Sequence, residues 1–167
     1  QKNLVCIYVG DAALEEGVFY ESLNFCVIKK LPVVFICENN FYSVYTHIKD
    51  RQPYNRKLFK LAEAIGAKSN KLKQDNPYIL FSNLEKIFNK VRKNPFPHFI
   101  EIETYRYLEH CGPDNDDILN YRNVKEVKNW LLKDPLKILK NKIKKQKIIN
   151  KKNLEKMAGE LLASQLL

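Results

Sequence analysis

Two short stretches of this sequence carry residue types that could do chemistry. Gly10-Asp11 closes one apolar run, and Asn39-Asn40-Phe41-Tyr42 closes a second. A carboxylate on a tight strand-to-helix turn stands beside free backbone N–H groups, which is an anion-binding position. Asp11, Glu15 and Glu16 would repel a bare anion there, and a divalent cation between carboxylate and phosphate removes the conflict. Mg²⁺ takes about six oxygen ligands in an octahedron and is commonly held by one or two protein groups plus substrate phosphates. Asp11, the amide oxygen of Asn40 and a backbone carbonyl of the following loop would supply hard oxygens for it. An Asp at a strand end and an Asn in a loop also serve simply as turn formers. On these residues alone both readings stand.

The elements that must position these groups follow from periodicity. Residues 4–9 (LVCIYV) and 33–37 (VVFIC) are short, apolar and rich in β-branched residues, as in strands buried on both faces of a parallel sheet. Between them Phe19, Leu23, Cys26, Val27 and Lys30 mark helical spacing over 15–30, ended by Leu31-Pro32. This is a βαβ unit, and it brings Asp11 and Asn40 to one sheet edge, where open α/β sheets bind ligands. Residues 42–55 lack periodicity and read as a long loop. A helix is expected over 56–65 with Gly66 as its C-cap, then a brief strand near Leu72, and a helix over 83–93 opened by the capping box Ser82-x-x-Glu85. Residues 98–105 (HFIEIETY) alternate, which predicts a strand with one face less deeply buried. Its end runs into Arg106 and the segment Glu109-His110-Cys111-Gly112-Pro113, a second loop expected at the same edge. Asn123-x-x-Glu126 and Asp134-Pro135 each start a helix. Leu136, Leu139 and Ile143 continue one stripe, and Leu154, Met157, Leu161 and Leu162 another. The fold class is α/β: an open, mostly parallel sheet with flanking helices over 1–132, and a Lys-rich helical tail over 133–167.

Composition bounds the rest. At 167 residues and 45 % hydrophobic the chain can bury a sizeable core. Its start at Gln1, almost directly in a strand, reads as a fragment. Net charge is +10, of which +8 comes from residues 133–156, with ten lysines against Asp134 and Glu155. Such a run is usually a solvated helix face, and neither nucleic acid nor membrane is expected as a partner; a basic binding module acting through this segment is the alternative. No apolar run approaches the roughly 18 to 20 residues of a membrane span. Cys6, Cys26, Cys37 and Cys111 have no C-x-x-C pairing, and the first three sit in apolar runs expected to be core. They read as reduced, which suits the cytoplasm.

GDAALEEG, followed about two dozen residues later by ENNFY, resembles the thiamine diphosphate fingerprint, a Gly-Asp-Gly followed at similar distance by Asn-Asn. EGVFYESLNFCVIKKLPVVFICENNFYSVYT, IEIETYRYLEHCGPDND and DPLKIL together resemble the alpha subunit of the two-oxoacid dehydrogenase first component, the pyruvate, branched-chain and acetoin dehydrogenase group. That resemblance implies thiamine diphosphate and Mg²⁺ as cofactors. It places Asp11 and Asn40 as metal ligands with the Tyr42 backbone carbonyl, and Gly10, Ala12 and Ala13 against the diphosphate. Arg106 and His110 fall on the loop that contacts the cofactor. A loop His of near-neutral pKa suits proton transfer, so His110 is the candidate catalytic residue. His47 and His98 are read as structural.

The same resemblance implies oxidative decarboxylation of a two-oxoacid substrate and acyl transfer to a lipoyl carrier protein. The partner beta subunit would supply the Glu that activates the cofactor, in a heterotetramer. Alternatives on the same framework are acetoin cleavage, aldehyde transfer in a biosynthetic cluster, or a non-catalytic partner subunit. Ala12 stands where the fingerprint has its second Gly, so a left-handed backbone there would strain it. Glu109 to Pro113 replaces the usual Gly-His-Ser segment, and Cys111 replaces a serine that is a phosphorylation site in some relatives.

Overall fold

The computed structural model describes residues 3–73, 76–146, 153 and 156. Four parallel strands form one sheet in the order β1-β2-β6-β5: β1 Val5–Gly10, β2 Val33–Asn39, β5 Lys68–Lys73 and β6 His98–Glu103. The chain passes from β1 to β2 through α1 (Gly17–Ile28), skips one position to reach β5 through α3 (Leu58–Ile65), and returns through α4 (Pro77–Lys93) to insert β6 in the centre.

Side-chain parity divides the core into two layers. Phe35, Cys37 and Phe99 pack with Leu14, Phe19, Leu23, Leu58 and Ala62 on the α1/α3 face. Val34, Ile36, Ile100 and Ile102 pack with Leu84, Ile87, Phe88 and Val91 on the α4 face. Phe19 is the hinge of the first layer, meeting both Phe35 and Phe99 edge-on with ring centroids 6.1 and 5.9 Å apart, a favoured aromatic geometry. Gly66 ends α3 at φ +107, as its expected role as a C-cap requires.

Several expectations are corrected. Residues 42–55 are not an unstructured loop: β3 (Tyr42–Ser43) pairs antiparallel with β4 (Thr46–His47), and the single turn α2 (Ile48–Arg51) follows. Two-residue strands are too short to show alternation. Helix α4 starts at Pro77, with the Asn76 side chain capping Ile79 N–H, so Ser82 lies inside it. An Asn N-cap followed by Pro at the first helical position outweighed the capping box. Strand β6 is buried on both faces because, at the centre of the sheet, α1 and α3 cover one side and α4 the other; its Glu101 is a buried group with partners. Cys6 is exposed: it lies level with Val34, toward the α4 layer, but on edge strand β1 and outside that packed cluster. All four cysteines are free.

Asn123 and Asp134 cap α5 (Val124–Leu132) and α6 (Pro135–Lys145) as expected. Helix α6 lies near α4, with Lys142 Nζ 5.7 Å from the Tyr78 ring centroid. The stripe of Leu154, Met157, Leu161 and Leu162 lies outside the described residues. No described helix is long and apolar enough to cross a membrane.

Candidate functional site at the carboxyl edge of the sheet

The first part of the site is the turn after β1. Leu14 is buried and joins the α1/α3 core, which pulls the chain down into a right-handed 3-10 turn over Ala12–Glu15. Asp11, with φ −59 and ψ −35, caps that turn. Leu14 N–H donates to the Asp11 carbonyl and Glu16 N–H to the Ala13 carbonyl, both at 3.3 Å. The N–H groups of Ala12 and Ala13 therefore precede the first bonded donor and have no acceptor within the turn. Ala12 is in right-handed backbone and is absent from the positive-φ residues of the chain, so the anticipated strain does not arise. A Cβ added to Gly10 would meet nothing within 4 Å; open space lies above the strand end.

The second part is the end of β2, built from both asparagines. Asn39 is buried. Its Nδ2 donates to Glu101 Oε1 at 3.0 Å, its Oδ1 accepts from Phe41 N–H at 3.1 Å, and its carbonyl accepts from Thr104 N–H at 2.9 Å. Asn40 Oδ1 accepts from Tyr42 N–H at 2.9 Å. Two successive Asx turns thus reverse the chain, with Phe41 at φ +70. Glu101, fully inside the sheet, also accepts from Phe59 N–H at 3.2 Å and faces Lys71 Nζ at 3.7 Å. Phe41 passes the constraint on: its carbonyl accepts from Ile48 N–H at 2.7 Å, which fixes the start of α2.

Helix α2 then delivers a cation to the first part. Arg51 Nη2 pairs with Asp11 Oδ2 at 2.5 Å, and Arg51 Nη1 pairs with Glu15 Oε1. Arg51 Nε donates to the Thr46 carbonyl at 3.2 Å, and Gln52 Nε2 reaches Glu15 Oε1 at 2.6 Å. The Asp11 side chain is 2 % exposed and that of Arg51 10 %. A carboxylate this deep requires a positive partner, and Arg51 is that partner here.

The third part is the loop after β6, which folds over the β3–β4 hairpin. Arg106 Nη2 donates to the Val44 carbonyl at 2.6 Å and to Tyr121 Oη at 3.1 Å, while its buried Nη1 has no hydrogen-bond partner and lies 3.9 Å from Asp116. Arg122 rivets the loop from within: Nη2 pairs with Asp116 Oδ1, and Nη1 donates to the Arg106 carbonyl at 2.5 Å. Tyr121 Oη donates to Asp116 Oδ2 at 2.6 Å, and its ring meets those of Tyr42 and Tyr45. Tyr42 Oη donates to the Glu126 carboxylate at 3.1 Å. Burial and then that bond push the Tyr42 phenol up to about 12; burial and the bond to Asp116 do the same for Tyr121. Both hydroxyls stay protonated donors. Glu109 folds back over Gly112, where an added Cβ would meet its Oε1 at 1.9 Å. His110 and Cys111 are exposed at the tip.

The structure therefore brings Gly10, Asp11, Ala12, Ala13, Asn40 and Tyr42 to one edge, with Arg106 seated beside the hairpin and His110 on the outer side of the loop. His98 hydrogen-bonds Asn70 through Nε2 at 2.7 Å, and His47 Nδ1 accepts from Lys49 N–H; both are structural, as expected. Four groups escaped the sequence reading: Asn39, Arg51, Glu101 and Arg122. Glu101 had a signal, since it shares inward parity with Phe99 in an apolar run and so needed partners. Arg51 had a weaker one: two carboxylates at one edge require a nearby cation. Nothing in the spacing of Arg122 foretold its pairing with Asp116. No group of three or more His, Cys, Asp or Glu side chains among the described residues could by itself cage a metal; the candidate ligand oxygens of this edge are the Asp11 carboxylate plus amide and carbonyl groups.

Comparison with known proteins identifies the family and the fold. The family model for the dehydrogenase E1 component matches residues 1–164. The chain is 32 % identical over 155 residues to the pyruvate dehydrogenase E1 component subunit alpha of Rickettsia felis, covering 93 % of this chain and 46 % of that protein. It is 32 % identical over 146 residues to the protein of the same name from Staphylococcus aureus, covering 84 % and 39 %. The chain thus spans less than half the length of these relatives. Among solved structures, the transketolase of Campylobacter jejuni superposes on 60 % of this chain and 15 % of its own, with TM-score 0.50 and 20 % identity. A Pichia stipitis transketolase matches equally, at 13 % identity. These two likenesses concern the fold.

Proposed function

The chain belongs to the dehydrogenase E1 component family, and on that premise we propose that it serves in the alpha subunit of a thiamine diphosphate-dependent two-oxoacid dehydrogenase. One observation carries the reading: a buried carboxylate, Asp11, stands at the sheet edge already neutralised by a cation, on the edge that also holds Asn40. The donor set fits Mg²⁺ between protein and diphosphate. Asp11 and Asn40 offer side-chain oxygens and Tyr42 a carbonyl, all hard ligands. Open space above Gly10 and the N–H groups of Ala12 and Ala13 suit diphosphate oxygens. Arg106, seated on the loop beside the hairpin, adds positive charge at this edge.

When bound, thiamine diphosphate supplies the carbon nucleophile on which a two-oxoacid loses carbon dioxide. The chain's own part is to hold and orient. Asn39 and Glu101 fix the turn that aims Asn40. The Arg122–Asp116 pair holds the loop bearing Arg106 and His110 against the hairpin, and His110, exposed on that loop, is the chain's candidate for proton transfer. Acyl transfer to a lipoyl carrier, dependence on a beta subunit, and a cytoplasmic setting belong to the same proposal; the relatives' shared name, subunit alpha of a pyruvate dehydrogenase E1 component, supports its two-oxoacid dehydrogenase part.

Calorimetry of the full-length protein with its beta partner, thiamine diphosphate and Mg²⁺ tests the reading. Tight uptake should be lost in Asp11→Ala and Asn40→Ala, and turnover across a panel of two-oxoacids then identifies the substrate. Absence of cofactor uptake, or uptake indifferent to both changes, refutes it.

A further inference from the structure

Arg51 neutralises the carboxylate that a metal would need. Its guanidinium bridges Asp11 and Glu15, its Nε is fixed to the Thr46 carbonyl, and Gln52 shares Glu15. The carboxylate it neutralises is 2 % exposed, so Asp11 cannot stand charged in this fold without a cation beside it. Arg51 holds Oδ2, one of the two oxygens of the carboxylate that a metal would use. A guanidinium and a divalent ion on the same carboxylate repel each other and divide its charge between them.

We infer that Arg51 is the resident counter-ion of the cation site, and that it sets the site's affinity by competing with Mg²⁺ for Asp11. This rests on the reading of Asp11 as the metal ligand. In the metal-free protein Arg51 keeps the buried carboxylate paired and the edge assembled. Entry of Mg²⁺ with its diphosphate displaces the guanidinium from Asp11, while Glu15 and the Thr46 carbonyl remain within its reach as alternative partners. Glu15 is the more exposed of the two acids, at 30 %, and so can hold a displaced cation at the rim. Because Arg51 belongs to α2, whose first N–H is tied to the Phe41 carbonyl, the exchange also registers at the Asx turns that carry Asn40. Competition has a signature that plain structural support lacks. By linkage, removing a competitor lowers metal-free stability and raises metal affinity, whereas removing a mere prop lowers both.

The test is Mg²⁺ titration of the full-length protein with its beta partner at saturating thiamine diphosphate, read as heat and as the metal-dependent rise in Tm. Arg51→Gln should bind Mg²⁺ on the order of tenfold more tightly, the fold-change expected for losing one charge-assisted pair, with a lower metal-free Tm and a larger rise on metal addition. Arg51→Lys, which keeps the charge, should stay close to the unaltered protein. Glu15→Gln, a surface change, provides the second reading should Arg51→Gln fail to fold: it removes the acid that would hold the displaced guanidinium, so Mg²⁺ should bind severalfold more weakly, and unchanged or tighter binding counts against the competition. Mg²⁺ affinity unchanged or weakened in Arg51→Gln, or unchanged or tightened in Glu15→Gln when Arg51→Gln cannot be made, overturns the inference. If the unaltered protein takes up neither Mg²⁺ nor thiamine diphosphate, the proposed function itself fails; if it takes them up and Arg51→Gln binds no more tightly, only the competition does.

Discussion

Glu101 offers the sharpest test of how the edge is built. Its carboxylate lies inside the sheet and accepts from Asn39 Nδ2 at 3.0 Å and from Phe59 N–H at 3.2 Å, with Lys71 Nζ 3.7 Å away. Replacing it with Ala strands two buried donors, each costing about 1–3 kcal/mol when left unpaired. Lys71 loses little, since it keeps Glu103 at 2.5 Å. The expected destabilisation of Glu101→Ala is therefore about 3–5 kcal/mol, a large part of a domain's total stability. Glu101→Gln separates charge from shape: its oxygen can still accept from one donor, but its amide nitrogen cannot accept from the other, so a loss of about 1–3 kcal/mol is expected. Urea unfolding of the purified protein reads both through the midpoint at constant m-value. Asn39→Ala removes the shared bond from the other side, and the double variant with Glu101→Ala should lose clearly less than the two single losses combined. Strict additivity, or a loss below about 1 kcal/mol in Glu101→Ala, would show that the Asn39–Glu101 contact does not hold the turn.

Three further expectations follow from particular residues. Ala12→Gly should bring no gain in cofactor affinity, because the backbone there is already right-handed, and should cost about 0.5–1 kcal/mol in unfolding free energy; a marked gain in affinity would contradict the turn geometry. His98 is held neutral, its pKa lowered to about 4 by burial and then by the charges of Lys90 and Lys68. The unfolded chain takes up that proton near pH 6.5 and the folded one does not, so stability should fall as pH drops from 6.5 toward 4, by about 2 kcal/mol once partial hydration is allowed for. Measured against His98→Asn, which lacks the titrating group, the pH dependence should flatten in that window. Arg122→Ala leaves buried Asp116 with only the Tyr121 hydroxyl and the more distant Arg106 guanidinium, and frees the Arg106 carbonyl; a loss of about 2–3 kcal/mol is expected, together with faster tryptic cleavage at Arg106, and unchanged proteolysis would refute the riveting role.

The βαβ unit, the helix caps at Asn123 and Asp134 and the C-cap at Gly66 were legible in the sequence because each is local. Apolar runs, turn residues and cap side chains act within a few residues of themselves. The convergence of Asp11 and Asn40 was legible for the same reason: two parallel strands joined by one helix end at one edge. Local signals misled where two competed, as at the start of α4, where Asn76-Pro77 prevailed over Ser82, and where strands were too short to alternate, as in the 42–47 hairpin.

What the sequence by itself determined, then, is the framework and the placement of its polar strand ends, since periodicity and chain connectivity suffice for those. Only the tertiary structure decided which distant charges meet. Asp11 finds Arg51 forty residues on, Asn39 finds Glu101 sixty-two residues on, and Tyr42 finds Glu126 eighty-four residues on. No spacing encodes such pairs, because they arise from the strand order β1-β2-β6-β5 and from burial that forces each charge to find a partner.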